Sequence, residues 1–158
     1  MRIGVDFDNT LACYNTVFAQ ESQKLGFTTY AERITKQDIK AKLLSRPDGI
    51  LLWQTLQGRV YGPAMANSHP LHGVASFLLR SLQRGYDLFI VSHKTEFGHF
   101  DPTQTSLRQA AIDWMECQGF FDPSRFGLLK EHVFFAHTRE EKISHIASLH
   151  LDVFIDDL

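Results

Sequence analysis

What this chain lacks narrows its function before any motif is read. It has no basic arm and no run of like charge: 16 Lys+Arg stand against 18 Asp+Glu, a net charge of -2. A nucleic-acid-binding surface is therefore not expected as its main business. Cysteine is scarce, with Cys13 and Cys117 far apart and no C-x-x-C spacing. They read as reduced thiols of a cytoplasmic protein, not as a disulfide framework. No apolar run reaches membrane-spanning length, and Met1-Arg2 leads straight into a short strand rather than a signal peptide. Eight histidines occur without H-E-x-x-H or paired Cys/His spacing, which leaves no zinc signature. Internal repeats and low-complexity stretches are also missing.

What is present suits one globular core with a modest insertion: 158 residues, 44% hydrophobic and 12% aromatic. Ile3-Gly4-Val5 reads as a short buried strand ending at Asp6. Residues 71–85 carry an apolar stripe at Leu71, Val74, Leu78 and Leu82, helical in spacing, with Gly85 placed to end the helix. YDLFIVS follows as a continuous apolar run, the mark of a strand covered on both faces. After a polar loop, SLRQAAIDWMECQG reads as a helix through Leu107, Ala110, Ala111 and Trp114. HVFFAH is a further strand, and Thr138-Arg139-Glu140-Glu141 is a capping box opening a helix with the stripe Ile143, Ile146 and Ala147. LDVFIDDL closes the pattern as a strand ending in aspartates. Strands alternating with helices predict an α/β fold with a mainly parallel sheet. Residues 12–68 break the alternation and read as a mainly helical insertion, with helices around 12–25 and 36–44.

The opening segment VDFDNT sets Asp6 and Asp8 on either side of Phe7. Burying a carboxylate at a strand end is unfavourable unless something compensates it. Asp8, Asn9 and Thr10 are also good helix caps, so a purely structural role is the competing reading. The sheet pattern decides between them, because ligands of open parallel sheets bind beyond the carboxyl ends of the strands. Asp6 and Asp8, Ser92-His93-Lys94, and Asp156-Asp157 would all meet on that rim. Two carboxylates ~4 Å apart at an effective dielectric of ~20 repel by roughly 4 kcal/mol. Such a cluster calls for a cation, and an all-oxygen donor set selects a hard one, Mg²⁺.

In motif order and placement the chain resembles hydrolases of the haloacid dehalogenase superfamily, most of which are Mg²⁺-dependent phosphatases. The resemblance covers residues 1–11 and 69–158. It implies a Rossmann-like three-layer sandwich, with residues 12–68 forming a small helical cap over the site. Asp6 matches the family's nucleophile, which forms an aspartyl-phosphate. Asp8 matches its general acid and base, Thr10 completes D-x-D-x-T, Ser92 matches the hydroxyl that bonds a phosphoryl oxygen, and Lys142 matches the lysine that neutralises nucleophile and phosphate. Asp156-Asp157 matches the acidic metal motif. In that scheme Asp6 gives Mg²⁺ a side-chain oxygen and Asp8 its main-chain carbonyl. Asp157 is the direct ligand of the last pair, and Asp156 orients a water or the lysine.

The implied activity is hydrolysis of a small phosphorylated metabolite. The same two aspartates would also serve a phosphomutase, and a catalytically idle metal-binding module is the competing class. Lys130 and Lys94 compete with Lys142 for its role. His93 and His137 lie near the predicted rim as candidate substrate contacts. Trp53, Arg59 and Tyr61 line a cap pocket in one reading and form the cap's own small core in the other. The chain ends at Leu158, one residue past the acidic pair, where family members usually continue with a loop and a strand.

Overall fold

A computed structural model describes residues 1–29 and 34–157. Its elements in chain order are β1 (Arg2–Val5), β2 (Ala12–Cys13), α1 (Asn15–Lys24), α2 (Lys36–Leu44), α3 (Gly49–Tyr61), β3 (His69–Pro70), α4 (Val74–Gln83), β4 (Asp87–His93), α5 (Leu107–Cys117), β5 (Val133–Ala136), α6 (Arg139–Ser148) and β6 (Val153–Ile155). No helix among the described residues is long and apolar enough to cross a membrane.

The fold is α/β. Four strands form one parallel sheet in the order β5-β4-β1-β6. Register sets Gly4 beside Phe89 on one side and Phe154 on the other, so β1 is central. A side chain at Gly4 would strike the Phe154 ring at 2.6 Å, which explains glycine in an otherwise apolar strand. β4 is buried from Leu88 through Ser92, as its unbroken apolar run demands. The sequence moves from β1 to β4 to β5 in one direction and then jumps back to β6. Right-handed crossovers place α4 and α5 on one face and α6 on the other, giving three layers. Side chains agree: Phe7 meets Trp114 of α5 edge-on at 5.5 Å, whereas Asp6 bonds Lys142 of α6. Among the described residues, β6 is an edge strand, and its Val153 and Ile155 are exposed.

The described residues divide into two compact units. Met1–Cys13, His69–Thr95 and Ile112–Leu158 make up the sheet-bearing one; Tyr14–Ser68 and Glu96–Ala111 make up the other. The second unit packs α1, α2 and α3 around aromatic side chains. Phe18 stacks on Trp53 at 5.3 Å, and Tyr14 meets Tyr61 edge-on at 4.9 Å. α2 begins at a capping box in which Thr35 and Asp38 each accept the other's backbone N–H. The stretch 96–111 is joined to these helices by a backbone contact: a Cβ on Gly98 would lie 2.6 Å from the Gly58 Cα.

Several elements depart from the sequence reading. α3 is a full helix where none is predicted, and Ala12–Cys13 pairs with His69–Pro70 as a short antiparallel ribbon inside a stretch read as helical. In α4 the buried face is Val74, Leu78 and Ser81, while Leu82 is exposed. In α6 the predicted stripe is not the inward face. Ile143 is 57% exposed, and the helix's buried residue is Lys142.

Candidate functional site

The carboxyl end of β1 builds the site. Asp6 continues the ladder past the strand, its N–H donating to the Ile155 carbonyl at 2.8 Å. Phe7 turns to the opposite face and is fully buried, an anchor that fixes the acids on either side of it. The chain then folds back. Leu11 and Ala12 both donate to the Phe7 carbonyl, and Asn9 takes φ = 60°, a conformation asparagine tolerates. This turn feeds β2, not a helix, and α1 starts later, at Asn15, preceded by Tyr14, which makes no side-chain cap. The cap reading of Asp8, Asn9 and Thr10 therefore fails.

α6 delivers Lys142 to Asp6. Its first turn is set by Thr138, whose hydroxyl accepts the Glu141 N–H at 3.1 Å. The Glu141 carboxylate reaches one residue further back than in a capping box, accepting from the His137 N–H at 2.7 Å. One turn in, the Lys142 ammonium donates to Asp6 Oδ1 and to Asp156 Oδ2, each at 2.8 Å. Ser92, on β4 and 1% exposed, also hydrogen-bonds the Asp6 carboxylate. Burial pushes the Asp6 carboxyl above the usual aspartate range, more than the bonds from Lys142 and Ser92 pull it down. For Lys142 the balance runs the other way. Burial disfavours the ammonium, but hydrogen bonds and charge from Asp156 and Asp6 prevail and hold it above the ordinary lysine value.

A second ion pair stands beside the first. Lys94, the residue after β4, donates to Asp8 Oδ1 at 3.0 Å and Oδ2 at 2.9 Å. Its own N–H bonds the Ala136 carbonyl at 2.9 Å, extending the β4–β5 ladder. In the sequence Lys94 stands on the predicted rim and as a competitor of Lys142, without an assigned partner. The signal that points to its pairing is a lysine immediately beyond a buried strand, where a charge needs a partner.

Carboxylate oxygens of Asp6, Asp156 and Asp157 lie within 4.8 Å of one another. Opposite ligands of an octahedral Mg²⁺ lie ~4.2 Å apart, a separation that falls inside this bound. Asp156 Oδ1 is buried with no hydrogen-bond partner among the described residues, and so is Thr10 Oγ1. An orphaned carboxylate oxygen in an all-oxygen donor set fits a hard divalent cation. The ammonium groups of Lys94 and Lys142 bond Asp8, Asp6 and Asp156 at this same end of the sheet.

The other candidates are placed as follows. The exposed His93 ring donates through Nε2 to the His137 carbonyl at 2.8 Å, bringing both histidines together at the ends of β4 and β5. Lys130 pairs with Glu116 at 3.1 Å, both exposed. Trp53 and Tyr61 belong to the aromatic core of the helical unit, and Arg59 pairs with the buried Glu21 at 2.9 Å.

No protein-family model matches the chain, and no curated protein matches it. Among solved structures it is similar to a HAD family hydrolase from Deinococcus radiodurans R1, crystallised with bound phosphate and sodium. The likeness has 15% identity and a TM-score of 0.38, covering 99% of this chain and 90% of that one. At that distance it assigns neither activity nor ligand.

Proposed function

We propose that this chain is a Mg²⁺-dependent phosphohydrolase that cleaves a small phosphomonoester through an aspartyl-phosphate on Asp6. The observation that carries this reading is the Asp6 carboxylate itself. It is buried at a strand end, held through Oδ1 by Lys142, bonded by Ser92, and set among acids with an orphaned oxygen. A purely structural ion pair does not call for a buried carboxylate oxygen left without a partner.

In the proposed first step a carboxylate oxygen of Asp6 forms a bond to phosphorus as the bond to the leaving oxygen breaks. Asp8 gives that oxygen its proton, releasing an alcohol. In the second step water attacks phosphorus, Asp8 takes the water's proton, and inorganic phosphate leaves with Asp6 regenerated. Splitting hydrolysis in this way replaces one difficult step with two easier ones. Lys142 and the Ser92 hydroxyl offset charge on the phosphoryl oxygens. Bound Mg²⁺, held by the carboxylates of Asp6 and Asp157 and by the Asp8 main-chain carbonyl, would add charge compensation at the phosphoryl group. Asp156 is given the role of holding the lysine. On the resemblance, the insertion of residues 12–68 is assigned the choice of substrate.

The test is turnover of p-nitrophenyl phosphate and of a panel of phosphorylated metabolites, with Mg²⁺ and with chelator. Metal-dependent release of phosphate, abolished in Asp6→Asn, is expected. An amide is a poor nucleophile and a poor metal ligand, so undiminished activity in that variant removes the covalent mechanism. No turnover of any phosphomonoester removes the reading altogether.

A further inference from the structure

We propose that Lys94 is a positioning residue, fixing the Asp8 carboxylate for its proton transfers to and from the reacting oxygens. The inference rests on the phosphohydrolase reading above and adds a residue to it. Lys142 already serves Asp6 and Asp156, so the site holds two ammonium groups with different partners.

Three features separate Lys94 from an ordinary phosphate-binding lysine. First, its ammonium bonds both oxygens of Asp8, at 3.0 and 2.9 Å, which fixes where the carboxylate lies and the direction in which it points. Second, the Lys94 side chain is 2% exposed and that of Asp8 is 20% exposed. The lysine therefore lies beneath the acid, and the acid is the partner that faces outward. Third, the lysine is itself held. Its backbone is tied to Ala136, and its ammonium sits 5.5 Å from the centre of the buried Phe7 ring. Burying an ammonium beside a partly exposed acid is a poor way to gain stability. It is a good way to keep a short side chain on a turn from wandering, and proton transfer requires hydrogen-bond reach to the reacting oxygen.

The experiment compares wild type, Lys94→Met, Lys94→Arg, Asp8→Asn and the Asp8→Asn/Lys94→Met double variant, with Mg²⁺. The substrates are phenyl phosphate, whose leaving oxygen needs a proton, and p-nitrophenyl phosphate, whose leaving oxygen needs it less. Lys94→Met is expected to lower kcat on phenyl phosphate by roughly 30- to 300-fold, within the range of general acid–base contributions. KM should stay within about threefold, the loss on p-nitrophenyl phosphate should be smaller, and Lys94→Arg should recover part of it. In the Asp8→Asn background the same change should cost no more than about twofold, because the residue it positions is already disabled. Losses that multiply in the double variant overturn the proposal, as does a weakening of inorganic phosphate inhibition in step with kcat. If wild type turns over no phosphomonoester, the functional reading falls and the leaving-oxygen role with it. The carboxyl ¹³C resonance of Asp8 in labelled protein, assigned by its loss in Asp8→Asn, then still decides the pairing. Movement of that resonance in Lys94→Met supports Lys94 as the group that fixes this carboxylate, and an unmoved resonance overturns it.

Discussion

Lys142 lies 136 residues from Asp6 in the chain, yet its ammonium holds Asp6 Oδ1 at 2.8 Å. That bond ties the third helix-bearing crossover to the first strand and gives the buried acid its counter-charge. Removing it separates Lys142 from its sequence competitor Lys130, whose partner Glu116 is an exposed residue of α5. Lys142→Ala is expected to lower kcat by about 10²-fold or more, by analogy with loss of one charge-stabilising group. Lys130→Ala should leave kcat within about twofold, since exposed pairs contribute little. Steady-state kinetics of the two variants side by side decide it, and a larger loss at Lys130 would show the role assigned to the wrong lysine.

Thr138 caps the turn that carries Lys142, whose own N–H bonds the Thr138 carbonyl at 3.1 Å. Thr138→Ala should destabilise the protein by about 1 kcal/mol, the usual value of a lost cap. Because fraying would begin at the lysine's turn, kcat should fall several-fold as well. Denaturant melts and kinetics measured together check this; an unchanged kcat would show that the turn is held without its cap.

Asp157 tests whether the acids share a metal. In chelator, Asp157→Asn should relieve part of the repulsion with Asp6 and Asp156. A gain of ~1 kcal/mol raises Tm by roughly 2–4 °C for a domain of this size. In millimolar Mg²⁺ the wild type should gain, by about 2.7 kcal/mol at a hundredfold excess over Kd, and the variant should lose most of that gain. Equal responses of the two proteins to Mg²⁺ would take Asp157 out of the site.

Gly58 and Gly98 do not tolerate a methyl group equally. On Gly98 it would meet the Gly58 Cα at 2.6 Å, backbone against backbone, and something must move. Gly98→Ala should cost about 1–3 kcal/mol, the range for overpacking. On Gly58 the nearest atom is the His99 carbonyl oxygen at 3.2 Å, and Gly58 lies inside α3. There alanine's helix preference, worth about 0.5–1 kcal/mol, offsets much of the crowding. Equal losses in the two variants, read by thermal melts, would contradict this ranking.

Glu21 supplies a pH dependence away from the site. It is 2% exposed and accepts from Lys24 at 2.6 Å and Arg59 at 2.9 Å. Burial raises its carboxyl, but the bonds and charges of Lys24 and Arg59 outweigh it and leave the group below the ordinary glutamate range. A carboxyl depressed by folding stabilises above its unfolded pKa, and that stability disappears as pH falls through the folded value. Both cations are about half exposed, so solvent screens the pair and Glu21→Gln should cost only about 1 kcal/mol at pH 7. The difference from wild type should shrink as pH falls below ~4.5 and on through the lowered value. A difference that grows on acidification would reverse the sign argued here.

The parallel sheet is legible in the sequence because short apolar runs alternate with helical stripes, and the site ends of β1 and β6 are legible because each run stops at acids. Phe7 between Asp6 and Asp8 is the alternation of a strand carried past its last ladder bond, which is also readable. The inward face of α6 is not, because hydropathy favours Ile143 over Lys142, whereas the ion pairs at Asp6 and Asp156 make burial of the lysine tolerable. α3 escapes prediction because Gly49 and Gly58 lower its helix propensity, although Trp53, Leu56 and Val60 give it a buried face. Glycine at 58 serves the contact with Gly98, and nothing local in the sequence announces a partner forty residues away. Two-residue strands such as β2 and β3 are too short to show any period.

β6 bears on how the protein behaves in a test tube. Among the described residues no strand pairs with the outer edge of Val153–Ile155, and such an edge is the usual starting point of strand-to-strand aggregation. Asp152 precedes the strand and bonds the Arg2 N–H of β1, and Asp156 with the exposed Asp157 follows it. Acids so placed act as gatekeepers by mutual repulsion between copies. Asp157, proposed above as a ligand of the cation, would thus have a second use, and saturating it with Mg²⁺ or neutralising it by mutation should lower that protection. Light scattering should accordingly accompany any titration or variant at this end of the strand.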